Sequence, residues 1–141
     1  MKQNKILIIL GEPQSTFSEI LFKYFNSKAF LKNKKKIILI GSVDLLLKQM
    51  KKLKFKLILN LINNLEESKI NKINILNVNY NNKKIFSKIT SGSKNYISNC
   101  FKIGLKLIKD DKNIVLINGP VSKKNFLQKK YLGVTEYIAK K

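Results

Sequence analysis

The side chains best suited to chemistry lie beside small-residue turns near both ends of the sequence. Glu12 follows the first apolar run, Lys123 follows an Asn-Gly-Pro turn, and Thr135 and Glu136 follow a later glycine. A lysine at the start of a helix, together with backbone amides, suits a phosphate group. Glu12 offers an acid at the end of a strand, and Thr135 offers a hydroxyl. These residues are therefore the candidates for binding a ligand.

Each candidate also has a structural interpretation that the residues alone leave open. Glu12 is equally suited to a turn, and Lys123 is one of many lysines on a solvated surface. Thr135 is a favourable N-cap for a helix at the end of the chain. Glu136 would then be an acid in the first helical turn, where the helix dipole stabilises it.

The elements that must position these residues are predicted from hydrophobic patterns. Continuous apolar runs at 5–10, 36–40 and 114–117 predict strands that are buried on both faces. Weaker patterns predict strands at 55–61 and 73–78. A first helix is predicted to follow a cap at Ser15 or Thr16, with Ile20 in its core stripe, and a second is predicted to start at Asp44. Further helices are predicted over 93–109, 121–128 and 135–140.

Strands and helices alternate along the whole chain, and this order predicts an α/β layered fold with a mainly parallel sheet and helices on both faces. No internal repeat or Pro/Ser-rich linker divides the sequence, so 1–141 is expected to be one unit. Ligands of open α/β sheets bind at the carboxyl ends of the strands. The turns after the first and last strands are therefore the predicted site.

The charge is strongly basic, with a net value of +21 and a pI of about 10.1. All 29 basic residues are lysine, and they are spread along the chain rather than gathered in one block. Nucleic-acid readers rely heavily on the arginine fork, so solvated lysine faces are the favoured interpretation. A lysine-rich α/β module that binds nucleic acid is the alternative.

Several classes of site are excluded for this chain by its composition. It contains no histidine, so it cannot build a histidine metal site or a Ser-His-Asp triad by itself. The single cysteine, Cys100, excludes an internal disulfide and fits a buried, inert thiol. Glycine-rich dinucleotide and P-loop motifs are missing from the sequence. Its apolar runs are too short for a membrane span or a signal peptide, so we expect a cytoplasmic protein without membrane contact.

Two stretches together resemble a known enzyme family. The segment 11–20, Gly-Glu-Pro-Gln-Ser-Thr-Phe-Ser-Glu-Ile, resembles the Gly-Glu-Pro-Ala-Gly-Ile-Gly-Pro-Glu signature of the 4-hydroxythreonine-4-phosphate dehydrogenases. The segments 118–123, Asn-Gly-Pro-Val-Ser-Lys, and 133–136, Gly-Val-Thr-Glu, look like that family's Gly-Pro-Val/Ile-X-Lys turn and its Gly-His-Thr-Glu motif. Their order and their strand-turn context fit the family as well.

The resemblance implies an isocitrate/isopropylmalate-dehydrogenase-like fold and an NAD-dependent oxidation of 4-phosphooxy-L-threonine in pyridoxal 5'-phosphate (vitamin B6) biosynthesis. The oxidised product then loses carbon dioxide. A divalent metal (Zn, Mg or Co), held by histidines, is also implied, in a site completed across a homodimer. The partners expected from the resemblance are thus a phosphorylated small molecule and a second copy of the full-length protein.

The sequence departs from the family pattern in ways that change these expectations. The family's chain is longer, and its metal-binding histidines lie beyond the last motif, so 1–141 is expected to be an incomplete N-terminal portion without activity of its own. Val134 stands where the family has histidine, and Phe17 stands in a run that contains glycines in the family. Catalytic and NAD-binding residues stay unassigned, and the predicted substrate-binding residues are Thr135, Val134 (by position), Lys123, Glu136 and Glu12.

Overall fold

Five apolar segments form the strands of one parallel sheet in the computed structural model, which describes residues 4–81 and 84–141. Their bounds are Lys5–Ile9 (β1), Lys36–Gly41 (β2), Leu59–Ile62 (β3), Ile73–Asn77 (β4) and Ile114–Asn118 (β5). The strand order is β3-β4-β2-β1-β5, and every neighbouring pair is parallel. The predicted α/β class with a mainly parallel sheet is confirmed.

In the part of the chain that the structure describes, five α-helices connect or follow these strands. They are Phe17–Phe25 (α1), Lys28–Lys32 (α2), Val43–Lys52 (α3), Lys94–Asp110 (α4) and Val134–Ala139 (α5). A π-helical turn spans Lys123–Leu127, and short 3-10 turns span Leu65–Glu67 and Ser91–Ser93. In the described ranges, none of the helices is both long and apolar enough to cross a membrane.

The helices cover both faces of the sheet, as the alternating order predicts. On one face, Phe22 of α1 and Leu46 of α3 pack with Leu39 of β2. On the other face, Phe101 of α4 packs with Ile9 of β1, and the π-helical turn and α5 join the same cluster. Neighbouring residues of β1 and β2 thus point into opposite cores, which is why both strands are apolar throughout.

Some local predictions are wrong. The third strand begins at Leu59 rather than at position 55, because Phe55 and Leu57 pack against the core from an irregular connection. Ile20, assigned to the core stripe of α1, is 61% exposed. Ser27 caps a second short helix, α2, that the sequence pattern did not indicate.

The predicted helix at 121–128 is the π-helical turn in the structure, begun by Ser122, whose hydroxyl accepts from the Asn125 N–H. The N-terminal residues 1–3, part of the segment predicted to hold no signal peptide, lie outside the described ranges.

Candidate functional site

The turns that follow β1 and β5 meet at the carboxyl edge of the sheet. After β1 the chain turns toward α1 on one face, whereas after β5 it turns toward the π-helical turn on the other face. The two strands are direct neighbours, with Ile9 opposite Asn118. A crevice between adjacent strands whose connections diverge is the switch point at which α/β sheets bind ligands.

Backbone hydrogen bonds join the two turns. The Gly119 N–H donates to the Ile9 carbonyl at 2.7 Å, and the Glu12 N–H donates to the Pro120 carbonyl at 2.7 Å. Gly11 has a φ of +72°, and a Cβ built on it would lie 2.4 Å from the Pro120 oxygen. Only glycine fits this backbone conformation and this close approach without strain.

Phe17 packs against the second turn. A Cβ on Gly119 would lie 2.6 Å from the ring of Phe17 and 2.4 Å from the Leu10 carbonyl oxygen. The phenylalanine therefore fills space beside Gly119, as expected for a bulky residue in a run that the resembled family builds with glycines. A ligand at this edge has less room on the α1 side.

The side chain of Glu12 is buried below the carboxyl edge of the sheet and is not exposed at it. Its side chain is 2% exposed, and the Ser93 hydroxyl donates to its Oε1 at 2.8 Å. Its Oε2 finds no hydrogen-bond partner within 4–81 and 84–141. Burial raises the pKa of this carboxyl above its usual 4.5, while hydrogen bonds from Ser93 and the Gln14 backbone act in the opposite direction.

Residues that the sequence did not single out brace the first turn. Gln49 of α3 donates from Nε2 to the Pro13 carbonyl at 3.0 Å, in a buried position. The Gln14 side chain accepts from the Ser87 N–H at 2.8 Å and donates to the Lys84 carbonyl at 3.1 Å. The turn is thus fixed from α3 and from the segment before α4. No periodic pattern in the sequence marks these contacts.

The second turn carries Lys123 at the surface. Lys123 is exposed at the start of the π-helical turn, directly after Ser122. The Phe126 N–H donates to the Ser122 carbonyl at 2.8 Å, and the Asn125 side chain donates to the Ile89 carbonyl at 3.3 Å. The segment around 89–93 therefore contacts both turns, through Ser93 on Glu12 and through Ile89 on Asn125.

The last motif forms the start of α5. Gly133 occupies the N-cap position, so the interpretation of Thr135 as the cap is wrong, and Thr135 is an exposed residue of the first turn. Val134 is partly buried and packs against the core cluster that contains Tyr137. A valine cannot donate a hydrogen bond, so position 134 offers apolar contact where the resembled family has a histidine.

The carboxylate of Glu136 is paired with residues that flank its own helix. Its Oε2 accepts from the Leu132 N–H at 2.6 Å, and its Oε1 accepts from Lys140 Nζ at 2.9 Å. The hydrogen bond from the Leu132 N–H, which is the larger effect, and that from Lys140 hold the pKa of this carboxyl below its usual 4.5. This geometry matches the structural interpretation, an acid that stabilises the first turn of a helix.

A metal ion has no set of ligands in the part of the chain that the structure describes. Groups of three or more His, Cys, Asp or Glu side chains do not occur there. The lone thiol, Cys100, is fully buried, and burial raises its pKa to about 12. The donor set of residues 4–81 and 84–141 therefore does not fit the divalent metal that the family resemblance implies.

Comparisons with known proteins identify the fold. No protein family and no curated protein matches the sequence. Among solved structures, the chain is similar to a 4-hydroxythreonine-4-phosphate dehydrogenase from Burkholderia phymatum, with a TM-score of 0.84 at 16% identity over 99% of this chain. It is also similar to one from Klebsiella pneumoniae, with a TM-score of 0.81 at 16% identity over 97% of this chain.

The likeness extends over part of each solved protein. The chain spans 44% of the length of both structures. At 16% identity the likeness establishes a shared fold. The predicted resemblance to 4-hydroxythreonine-4-phosphate dehydrogenases is thereby confirmed in the architecture of the chain, and the partial coverage is consistent with the predicted N-terminal portion.

Proposed function

We propose that this chain forms part of an oxidoreductase that binds 4-phosphooxy-L-threonine at the carboxyl edge of its sheet. The observation that carries the proposal is the contact between the turns after β1 and β5, in which the Glu12 N–H donates to the Pro120 carbonyl. It joins two segments on which the family resemblance rests, within a fold shared with solved dehydrogenases. Ligands of such sheets bind at this position.

The side chains have different roles under this proposal. Lys123, exposed after the second turn, supplies a cation for the phosphate group. Thr135 supplies a hydroxyl to the substrate, and Val134 supplies an apolar contact. Glu12 is buried and acts on the backbone of the first turn without touching substrate. Glu136 holds the start of α5.

The redox chemistry and the metal belong to the larger assembly in this proposal. NAD is the proposed hydride acceptor, and a divalent metal (Zn, Mg or Co) the proposed Lewis acid for the decarboxylation. Residues outside this chain hold the metal, and a homodimer completes the site in the cytoplasm. The residues of this chain carry the substrate-binding half, so we expect no turnover from 1–141 alone.

Substrate binding by the isolated chain tests the proposal directly. The 15N-labelled chain is titrated with 4-phosphooxy-L-threonine, and backbone amide shifts are followed by NMR. We expect the largest shifts in the segments 11–12, 119–123 and 133–136, with L-threonine as the ligand that lacks the phosphate. Saturating shifts confined to another part of the chain, or equal shifts with L-threonine, would refute the proposed site.

Position-specific variants sharpen the same titration. Thr135→Ala removes the hydroxyl and should weaken binding by about 2- to 13-fold, the usual value of one hydrogen bond. Thr135→Ser keeps the hydroxyl and serves as the matched control. Val134→His restores the donor of the resembled motif and should strengthen binding. Equal affinities for all three variants would show that α5 does not contact the substrate.

Nucleic-acid binding stays the second candidate because of one local surface. Lys48, Lys51 and Lys52 of α3 line a depression of about 480 Å³ together with Ile85. Binding through such a surface should fall steeply with salt, because each phosphate contact releases counterions. Fluorescence anisotropy with single-stranded and duplex oligonucleotides at two salt concentrations tests it. Submicromolar binding that Lys51→Gln and Lys52→Gln together abolish would favour this alternative.

A further inference from the structure

A small space lies beneath the first turn of the candidate site. It has a volume of about 10 Å³ and is lined by residues of the β1–α1 connection, α3 and α4, among them Glu12, Ser18, Gln49 and Tyr96. A space of this size holds one water molecule.

Two of the residues that line this space carry a buried polar atom without a partner. Glu12 Oε2 and Ser18 Oγ each find no hydrogen-bond partner within the described ranges, and their residues are 2% and 7% exposed. A buried polar atom left unpaired costs free energy, and an unpaired buried charge costs much more. A fold that keeps both atoms here therefore satisfies them in some way.

Cations do not explain the arrangement. Among the buried side chains of 4–81 and 84–141, Glu12 Oε2 and Ser18 Oγ are the unpaired oxygens at this space, fewer than the six or so ligands that a hard cation needs. The ion pairs of Lys5, Lys23, Lys48 and Lys140 go to other acids, namely Glu19, Asp44, Glu66, Asp111 and Glu136. A proton on Glu12 removes the charge of its buried carboxyl.

We propose that the space holds one water molecule bridging Glu12 and Ser18, and that this buried site favours the neutral carboxylic acid form of Glu12 over the carboxylate. The Oε2–H group donates to the water, the water donates to Ser18 Oγ, and Oε1 accepts from Ser93. Each polar atom then has a partner, and no charge is buried. The inference does not depend on the identity of the ligand at the edge.

The surroundings of Glu12 support a neutral form. Burial raises the pKa of Glu12, and burial is also the main cause that raises the pKa of Tyr80 in the segment before α4. Tyr96 of α4 also lines the space, and burial keeps it a neutral phenol. Gln49 faces the turn from α3 as a neutral amide. The groups on these elements supply no positive charge that would stabilise a carboxylate.

The pH dependence of stability follows from the raised pKa. The unfolded chain releases the Glu12 proton near pH 4.5, whereas the folded chain keeps it to a higher pH. The stabilisation is complete below pH 4.5 and is lost as the pH rises through the folded pKa. Each pH unit between the two values lowers the folding equilibrium constant by up to tenfold.

The titration of Glu12 itself is the decisive measurement. The carboxyl carbon of Glu12 in the 13C-labelled chain is followed by NMR as a function of pH, with Glu19 as the internal reference. We expect a midpoint for Glu12 clearly above that of Glu19. A Glu12 midpoint at or below the Glu19 midpoint would overturn the proposal of a neutral acid, whatever the variants do.

Glu12→Gln tests the consequence for stability, since glutamine is neutral and of nearly the same shape. Below pH 4.5 the variant and the wild type should unfold at similar urea concentrations, and at pH 8 the variant should be the more resistant. Glu19→Gln, on the surface of α1 where Glu19 pairs with Lys23, is the matched control and should not show this crossover. Parallel curves for Glu12→Gln and the wild type would contradict the proposal.

The water molecule is tested by crystallography at high resolution. We expect one ordered water within hydrogen-bond distance of Glu12 Oε2 and Ser18 Oγ. A structure in which the two side chains contact each other directly, with no density between them, would remove the water from the proposal.

Discussion

The backbone N–H of Glu12 donates to the carbonyl of Pro120 at 2.7 Å, so the turn after β1 is fastened to the turn after β5. The two turns are far apart in sequence, but β1 and β5 are paired from Lys5 and Ile114 onward. The in-register pairing brings both turns to the same height at the carboxyl edge. A substitution that displaces the backbone of one turn should therefore displace the other turn as well.

Gly11→Ala is expected to destabilise this edge. Gly11 has a φ of +72°, and a Cβ there would lie 2.4 Å from the Pro120 oxygen. A left-handed conformation costs alanine about 1–2 kcal/mol and overpacking adds a similar amount, so we expect a loss of roughly 2–4 kcal/mol. Urea unfolding followed by circular dichroism measures it.

Gly133→Ala is the matched control for this substitution. A Cβ at Gly133 has no heavy atom within 4 Å, and the backbone there is extended, with a φ of −165°. Its free energy of unfolding should fall by at most about 1 kcal/mol, because alanine is a poorer N-cap than glycine but meets no clash there. Equal losses of stability in the two alanine variants would mean that the contact between the turns does not require glycine at position 11.

Asn74→Ala is expected to destabilise the other end of the sheet. Asn74 is fully buried in β4, where its Nδ2 donates to the Ile37, Lys69 and Lys72 carbonyls at 2.9–3.1 Å. Its Oδ1 accepts from the Lys69 N–H and from Asn60. Removing the amide leaves several buried groups unpaired, so we expect a loss on the order of 3 kcal/mol.

Urea unfolding also measures the Asn74 variant, with Asn99→Ala on the exposed side of α4 as its control. The control should change stability by less than about 0.5 kcal/mol. If the two variants were equally stable, the amide network of Asn74 would contribute nothing to the fold.

The architecture could be predicted from the sequence because it depends on long, local patterns. The continuous apolar runs of β1 and β2 and the three-four spacing in α4 are each visible within a few residues. The strand–helix order then leaves a parallel sheet as the simplest arrangement. The shift of the third strand from position 55 to Leu59 has a physical cause, since Phe55 and Leu57 are buried without being paired in the sheet.

The polar contacts of the site could not be predicted in the same way. Glu12 was a candidate ligand-binding acid from its place after a strand, yet its side chain points inward to Ser93. Ser93 and Gln49 reach the first turn from distant elements, and such contacts leave no periodic signal in a sequence. The type of a residue indicates its chemistry, but the packing around the residue decides where its side chain points.

Cys100 is expected to react slowly with thiol reagents in the folded protein. The side chain is fully buried in α4, and burial raises its pKa from 9.0 to about 12. This change lowers the thiolate fraction near neutral pH by roughly a thousandfold, and only the thiolate is reactive. Labelling with iodoacetamide should follow the rate of unfolding in urea, whereas rapid labelling in native buffer would show that the α4 core opens readily.

Glu136→Gln is expected to loosen α5. Glu136 accepts from the Leu132 N–H at 2.6 Å, and the charge of the carboxylate strengthens this bond at the start of the helix. The pKa of Glu136 lies below its usual 4.5, chiefly through the Leu132 N–H and then through Lys140. The stabilisation is therefore present above pH 4.5 and is lost as the pH falls through the lower, folded pKa.

Hydrogen exchange at the amides of α5 measures this effect. At pH 7 the amides of Tyr137 and Ile138 should exchange faster in Glu136→Gln than in the wild type, since local opening of the helix becomes easier. Glu66→Gln, at an exposed acid in the turn before β4, is the control and should leave α5 unchanged. Unchanged protection in Glu136→Gln would indicate that Glu136 does not hold the helix, and its carboxylate would then be available for the substrate role that the sequence resemblance suggested.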